Sequence, residues 1–367
     1  MAAGLLESPP YAPRPRGRRL RQLLVAGLIV VGMVLTVAVL RRPVEFESEA
    51  VRASRIMTDA LKALAAHRRT LDIAIDPTTD PSQSGLIGID YSDLTTTLGD
   101  LRAKQLSVQP AFAALIVTWL KDAGVRRGDR VALSLTGSFP GLNIAALSAC
   151  EAMGLEALVI SSIGASSYGA NIPGFTWLDM ERYLVAQGLV RSRTRYASLG
   201  GIVDTEGGLD GQGYVLAERA IDQHGASYLR ERGVAGVVHD IERRWGIYSA
   251  GGLPKAFINV GGGVTALGWA PEAALLDDGL LRRAPVLRSA ERGLIFRMLE
   301  AGVPVIHLIN IERLVARNHL SRDPMMGEVV DRAPIWRLQL RQLAVLLLVW
   351  LTSCAYLIIG GAQRRRL

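Results

Sequence analysis

The side chains able to do chemistry in this sequence stand directly behind short apolar runs. Thr136, Gly137 and Ser138 follow the run at 131–135, and Ser161 and Ser162 follow the run at 157–160 and open a loop that reaches Asn171. Gly261, Gly262 and Gly263 follow the run at 255–260, and Asn310 follows that at 303–308. Hydroxyls and carboxamides donate and accept hydrogen bonds, and glycines let a ligand approach the main chain. The pattern suits recognition of a polar ligand. Plainer readings stand beside it: Ser138 as a local helix cap, the three glycines as a tight turn, and Thr95, Thr96 and Thr97 as a strand end or the mouth of a site.

Stronger chemistry is not signalled. The turn at 136–141 precedes a helix whose first amides could hold a phosphate or carboxylate. It lacks the lysine of a phosphate loop and the glycine spacing of a dinucleotide fingerprint. The five histidines, His67, His224, His239, His307 and His319, show no i, i+4 pairing of a helical metal site. No metal and no cofactor is implied. An amide hydrolase or transferase using Ser138 or Ser162 as nucleophile would need one of these histidines brought from a distance.

The elements that must position these groups read as an α/β fold with a mostly parallel, Rossmann-like sheet and flanking helices. The run at 131–135, a helix from Pro140 to about Met153 and the run at 157–160 make a βαβ unit, so the two loops open on one edge of a parallel sheet. Further strands are expected at 85–89, 255–260 and 303–308, and further helices at 47–71, 112–123, from Trp177, and at 214–230, 237–245 and 288–299. The first helix is either a stalk or a first layer packed on the domain. His307, inside a strand, reads as a core histidine.

Of the 367 residues 49% are hydrophobic and 21% charged, which excludes a disordered chain. Apolar runs of about eighteen residues at 23–40 and about twenty at 343–362 match the length needed to cross a bilayer. The net charge of +8 is concentrated in the tails, at Arg14, Arg16, Arg18, Arg19 and Arg21 and at Arg364, Arg365 and Arg366. By the positive-inside rule both tails are cytoplasmic and the middle is extracytoplasmic, a bias reduced by Arg41, Arg42, Arg337 and Arg341. The tail charge suits membrane lipid; without a basic stripe and interleaved aromatics in the body, nucleic acid is not a partner.

The expected organisation is a bacterial cytoplasmic-membrane protein. A basic tail (1–22), a transmembrane helix (23–40) and an amphipathic helix with linker (43–82) lead to an extracytoplasmic α/β domain (83–335). A second transmembrane helix (343–362) and a basic tail (363–367) complete it. Cys150 in a helix and Cys354 in the second span form no intramolecular disulfide.

Several motifs together carry a resemblance. Ser84-Gly85-Leu86-Ile87-Gly88-Ile89-Asp90-Tyr91-Ser92, the run at 95–101, Thr136-Gly137-Ser138-Phe139-Pro140, the stretch at 159–171, Thr176-Trp177-Leu178-Asp179-Met180 and the stretch at 258–263 are similar to the bacterial poly-γ-glutamate system protein family. The resemblance implies a membrane-anchored accessory subunit of poly-γ-glutamate capsule synthesis or export. Its extracytoplasmic domain would contact the polymer, a polyanion, or the ligase and membrane subunits of the synthase. It supplies no catalytic residue. That topology argues against ATP as a ligand.

Overall fold

The computed structural model describes residues 45–201, 208–209, 211–230, 233–269, 273, 276–285 and 292–323. The two apolar runs at 23–40 and 343–362 lie outside the described residues. No helix among the described residues is long and apolar enough to cross a membrane.

Seven strands form one sheet: β2 (Arg130–Thr136), β3 (Glu156–Ser162), β7 (Thr194–Ser198), β8 (Ser227–Tyr228), β9 (Ala256–Val260), β10 (Gly279–Leu281) and β11 (Val305–Leu308). Their order is β10-β11-β9-β2-β3-β7-β8, parallel throughout except for β10 against β11. The mostly parallel α/β reading therefore holds. From β2 the chain moves outward through β3, β7 and β8, then returns to β9 on the other side. The β2–β9 boundary is thus the switch point at whose carboxyl ends open sheets leave a crevice.

Strand alternation assigns the two faces. Val131, Leu133, Val159 and Ile258 face one core, shared with helices α3 (Ala111–Asp122) and α4 (Pro140–Met153), whereas Ala132, Ile160, Phe257 and Val305 face a second core with α7 (Gly233–Ser249) and α9 (Leu294–Glu300). Helix α1 (Glu45–Thr70) buries Ala50, Ala53, Met57, Ala60 and Leu64, spaced three and four apart, in the first core. It is a packed layer of the domain, not a free stalk.

Short elements close the carboxyl edge: β1 (Thr95–Thr97) pairs with β4 (Ala165–Ser166), β5 (Asn171–Ile172) with β6 (Phe175–Thr176), and α2 (Leu101–Ser107) lies beside them. Helix α5 (Trp177–Ala186) starts on a reciprocal cap between Thr176 and Asp179. The remaining helices are α6 (Gly211–His224), α8 (Val264–Leu267) and α10 (Ile311–Arg317).

Two expected elements differ. Residues 85–89 join no strand: Gly85 turns left-handed (φ 75°), Arg68 donates to the carbonyls of Gly85 and Ile87, Asn171 bonds both the N–H and the carbonyl of Ile89, and the Gly88 amide donates to the Tyr168 carbonyl. The expected helix at 214–230 stops at His224, since Gly225 turns left-handed (φ 77°) and Ser227–Tyr228 join the sheet as its edge.

Candidate functional site

Two registers of the sheet change from apolar to polar as the strands approach their carboxyl ends. On the face of the second core, Ala132 gives way to Ser134 and Thr136, Phe257 to Asn259, Val305 to His307, and Ile160 to Ser162. Ser134, Asn259 and His307 are partners in adjacent strands, as are Thr136 and Ser162. These five residues floor a cavity of about 920 Å³ at the switch point. Its sides come from Thr96, Gly99, Lys104, Ser138 and Ser166, and from Gly262, Gly263, Asn310 and Arg313 facing them.

The floor is a hydrogen-bonded layer beside which two buried polar atoms lack a partner. Asn259 donates through Nδ2 to the Gly261 carbonyl (2.7 Å) and to His307 Nδ1 (3.1 Å), which leaves the proton of a neutral His307 on Nε2. Burial lowers the His307 pKa to about 4, with Asp278 opposing and Arg313 assisting that shift. Thr136 Oγ1 and Asp278 Oδ1 are buried and have no hydrogen-bond partner, although the other Asp278 oxygen accepts from Arg313. Arg244, 1% exposed, reaches the same cavity from α7 and donates to Asp240 (2.9 Å) and Ser198 (2.7 Å).

Six of the ten residues singled out from the sequence line this cavity: Thr136, Ser138, Ser162, Gly262, Gly263 and Asn310. The other four are built into the framework beneath it. The Gly137 amide donates to the Ser162 carbonyl (2.9 Å), and a Cβ there would lie 2.3 Å from the Ile163 carbonyl oxygen, so Gly137 lets the two loops touch. Ser161 pairs with Thr194 (2.6 Å) and accepts from the Trp177 indole (3.2 Å). Asn171 ties β5 to Ile89 and to Thr95 Oγ1 (2.9 Å), and the Gly261 amide donates to the Leu308 carbonyl. Ser138 does not cap α4: Phe139 holds the cap position, and Ser138 Oγ accepts from the Ser166 amide (3.0 Å). The first turn of α4 is closed to a phosphate, since Gly141 packs where a Cβ would lie 2.7 Å from the Ser107 carbonyl oxygen.

Among the described residues no histidine is hydrogen-bonded to Ser138 or Ser162. His224 bonds Glu181 (2.7 Å) in a buried cluster with Thr194, His67 stacks on Tyr183, and His239 is exposed. Burial pushes the Cys150 thiol up to about 12. No group of acids, histidines or cysteines among the described residues is arranged to hold a metal.

Sequence reasoning missed Ser134, Asn259, His307 and Ser166 in this cavity, and with them Lys104. Helix α2 starts on Asp100, whose side chain caps Ala103, and carries Lys104 inward until it is 1% exposed. Its ammonium donates to the Ser138 carbonyl and to Ser166 Oγ (2.7 Å) and lies 3.7 Å from the centre of the Phe139 ring. No carboxylate among the described residues bonds to it. Desolvation lowers its pKa to about 7, against the smaller opposing pull of Asp100. The spacing Asp100-x-x-x-Lys104 is that of an ordinary surface helix, so only the fold reveals its place.

Comparison with family models, with curated proteins and with solved structures finds no match for this chain.

Proposed function

We propose that the chain is a membrane-anchored accessory subunit of a poly-γ-glutamate synthesis or export system, and that its α/β domain binds a segment of the polymer in the switch-point cavity. The observation carrying this reading is the cavity floor, where the hydroxyl, carboxamide and imidazole groups of Ser134, Thr136, Ser162, Asn259 and His307 replace the apolar row beneath them. Polar groups on such a floor hold a polar ligand by hydrogen bonds worth about 1 kcal/mol each. A polyamide offers both N–H donors and carbonyl acceptors to that row. The polymer identity and the two-span anchoring come from the motif resemblance and the apolar runs.

The test is binding of poly-γ-glutamate to the full chain in detergent micelles at low and high salt. Wild type binds at low salt and loses affinity as salt rises, because the polymer carries a carboxylate on every residue. Thr136→Val, which keeps the shape and removes the hydroxyl, weakens binding by about tenfold, one hydrogen bond's worth. No binding at low salt, together with failure to co-purify with the ligase and membrane subunits of the synthase, would remove the reading.

A further inference from the structure

We propose that Ser166 and Lys104 form a catalytic pair in this cavity, Ser166 Oγ as nucleophile and Lys104 Nζ as its general base, and that they cleave or transfer an amide of the bound polymer. The inference rests on the binding reading for its substrate, but not for its chemistry. An activated serine needs a base at hydrogen-bonding distance that is neutral at working pH and held by a third group. Lys104 Nζ is 2.7 Å from Ser166 Oγ, and Ser166 Oγ has no other hydrogen-bond partner among the described residues. The Ser138 carbonyl and the Phe139 ring hold the amine from two further directions. All three contacts are uncharged. A lysine buried for structural reasons is ordinarily paired with a carboxylate.

The serine is held as firmly as its base. Its amide donates to Ser138 Oγ (3.0 Å), and the next amide, of Ser167, donates to the Thr97 carbonyl (3.0 Å). Gly99 keeps the approach bare: a Cβ there would lie 3.1 Å from Ser166 Oγ and 2.2 Å from the Ser167 carbonyl oxygen. Tyr168 just beyond adopts a left-handed backbone (φ 61°), a strain found at sites whose geometry is imposed by their surroundings. With its pKa near 7, Lys104 is substantially neutral at neutral pH. Asp100 is the one charged group that opposes this.

In the first half-reaction Ser166 Oγ bonds to the amide carbonyl carbon as its proton passes to Lys104 Nζ. The C–N bond then breaks, and the ammonium returns the proton to the departing amine. In the second, water loses a proton to the neutral lysine and attacks the acyl–Ser166 ester. This releases a carboxylic acid and restores the hydroxyl. An amine in place of water gives transfer, so the same pair could trim a polymer or move it to an acceptor.

The test uses the full chain in detergent with an alkyl fluorophosphonate, which is displaced at phosphorus by an activated serine with loss of fluoride. Modification is located by peptide mass mapping, and poly-γ-glutamate length is followed in parallel. Expected are phosphonylation at Ser166, a rate that rises with pH to a plateau with a midpoint near 7, and shortening of the polymer. Ser166→Ala should abolish labelling at that position and stop shortening. Lys104→Arg, which keeps a cation but cannot give up its proton, should slow labelling at least about a hundredfold. Thermal unfolding of the arginine variant checks that its rate is read from folded protein. Labelling of Ser166 without polymer binding would support the pair and remove the ligand assignment. A wild type that binds polymer yet is neither labelled nor shortens it would overturn the pair, as would labelling at Ser138 or an unchanged rate in the arginine variant.

Discussion

Lys104 is where stability and chemistry make opposite demands. Its folded pKa of about 7 lies below the ordinary 10.5, so between those values the unfolded chain holds a proton that the folded chain has released. Stability attributable to this group therefore rises with pH across that window, and the whole penalty of burying an ammonium is present below it. Lys104→Met removes the penalty and also the bond to the Ser138 carbonyl, a loss independent of pH. The variant should be more stable than wild type at pH 6, on the order of a few kcal/mol, with the advantage closing or reversing by pH 10. Thermal unfolding of both proteins at the two pH values measures this, and an equal difference at both would show that Lys104 keeps its proton in the fold. His307 behaves in the same direction in acid. Its pKa of about 4 against an ordinary 6.5 takes stability away as pH falls between those values.

At the scale of elements, the carboxyl edge is shaped by side chains that stand in for missing strands. Arg68, at the end of α1 and 4% exposed, donates to the carbonyls of Gly85 (2.9 Å), Ile87 (2.6 Å) and Ala74 (2.8 Å). Asp80 accepts from the amides of Ser84 (3.0 Å) and Gly85 (2.7 Å) just beside them. Arg68→Met leaves three carbonyls without this donor and should cost about 3 kcal/mol or more. Amide exchange should then quicken first around 85–89 and in the β1–β4 ladder; uniform acceleration across the sheet would deny the local role. These elements also divide what was legible in the sequence from what was not. The strands β2, β3, β9 and β11 announce themselves as apolar runs ending in polar groups, and six of the ten residues chosen on that basis meet at one cavity. Residues 85–89 carry the same β-like composition, but their partners, Arg68 and Asn171, lie far away in sequence. Lys104 is hidden for the same reason, because burial of α2 depends on contact with the start of α4 at Gly141. A finer signal was present in the strands themselves: Ser134, Asn259 and His307 each break an apolar alternation at the same height in the sheet.

For the whole molecule, the decisive quantity is the side of the membrane on which the cavity lies. A domain outside the cytoplasm meets exported polymer and little nucleotide, and the cavity then has to work with water, polyamide and its own hydroxyls. The turn at 136–141 is closed to a phosphate on either side: its Gly137 amide is spent on Ser162, and its helix start is packed against Ser107. The proposed two-span topology can be read without touching the site, by inserting reporters at Gly188. This exposed, left-handed turn residue (φ 69°) closes α5, and a side chain there would meet nothing within 4 Å. Alkaline phosphatase, which needs an oxidising compartment to form its disulfides, should be active at this position, and a fluorescent protein that folds only in the cytoplasm should be dark. The opposite pair of signals would put the cavity in the cytoplasm, remove exported poly-γ-glutamate as the ligand, and turn attention to a soluble polar metabolite on the same row of Ser134, Asn259 and His307. The Ser166–Lys104 pair would survive that result, since its geometry is indifferent to the compartment.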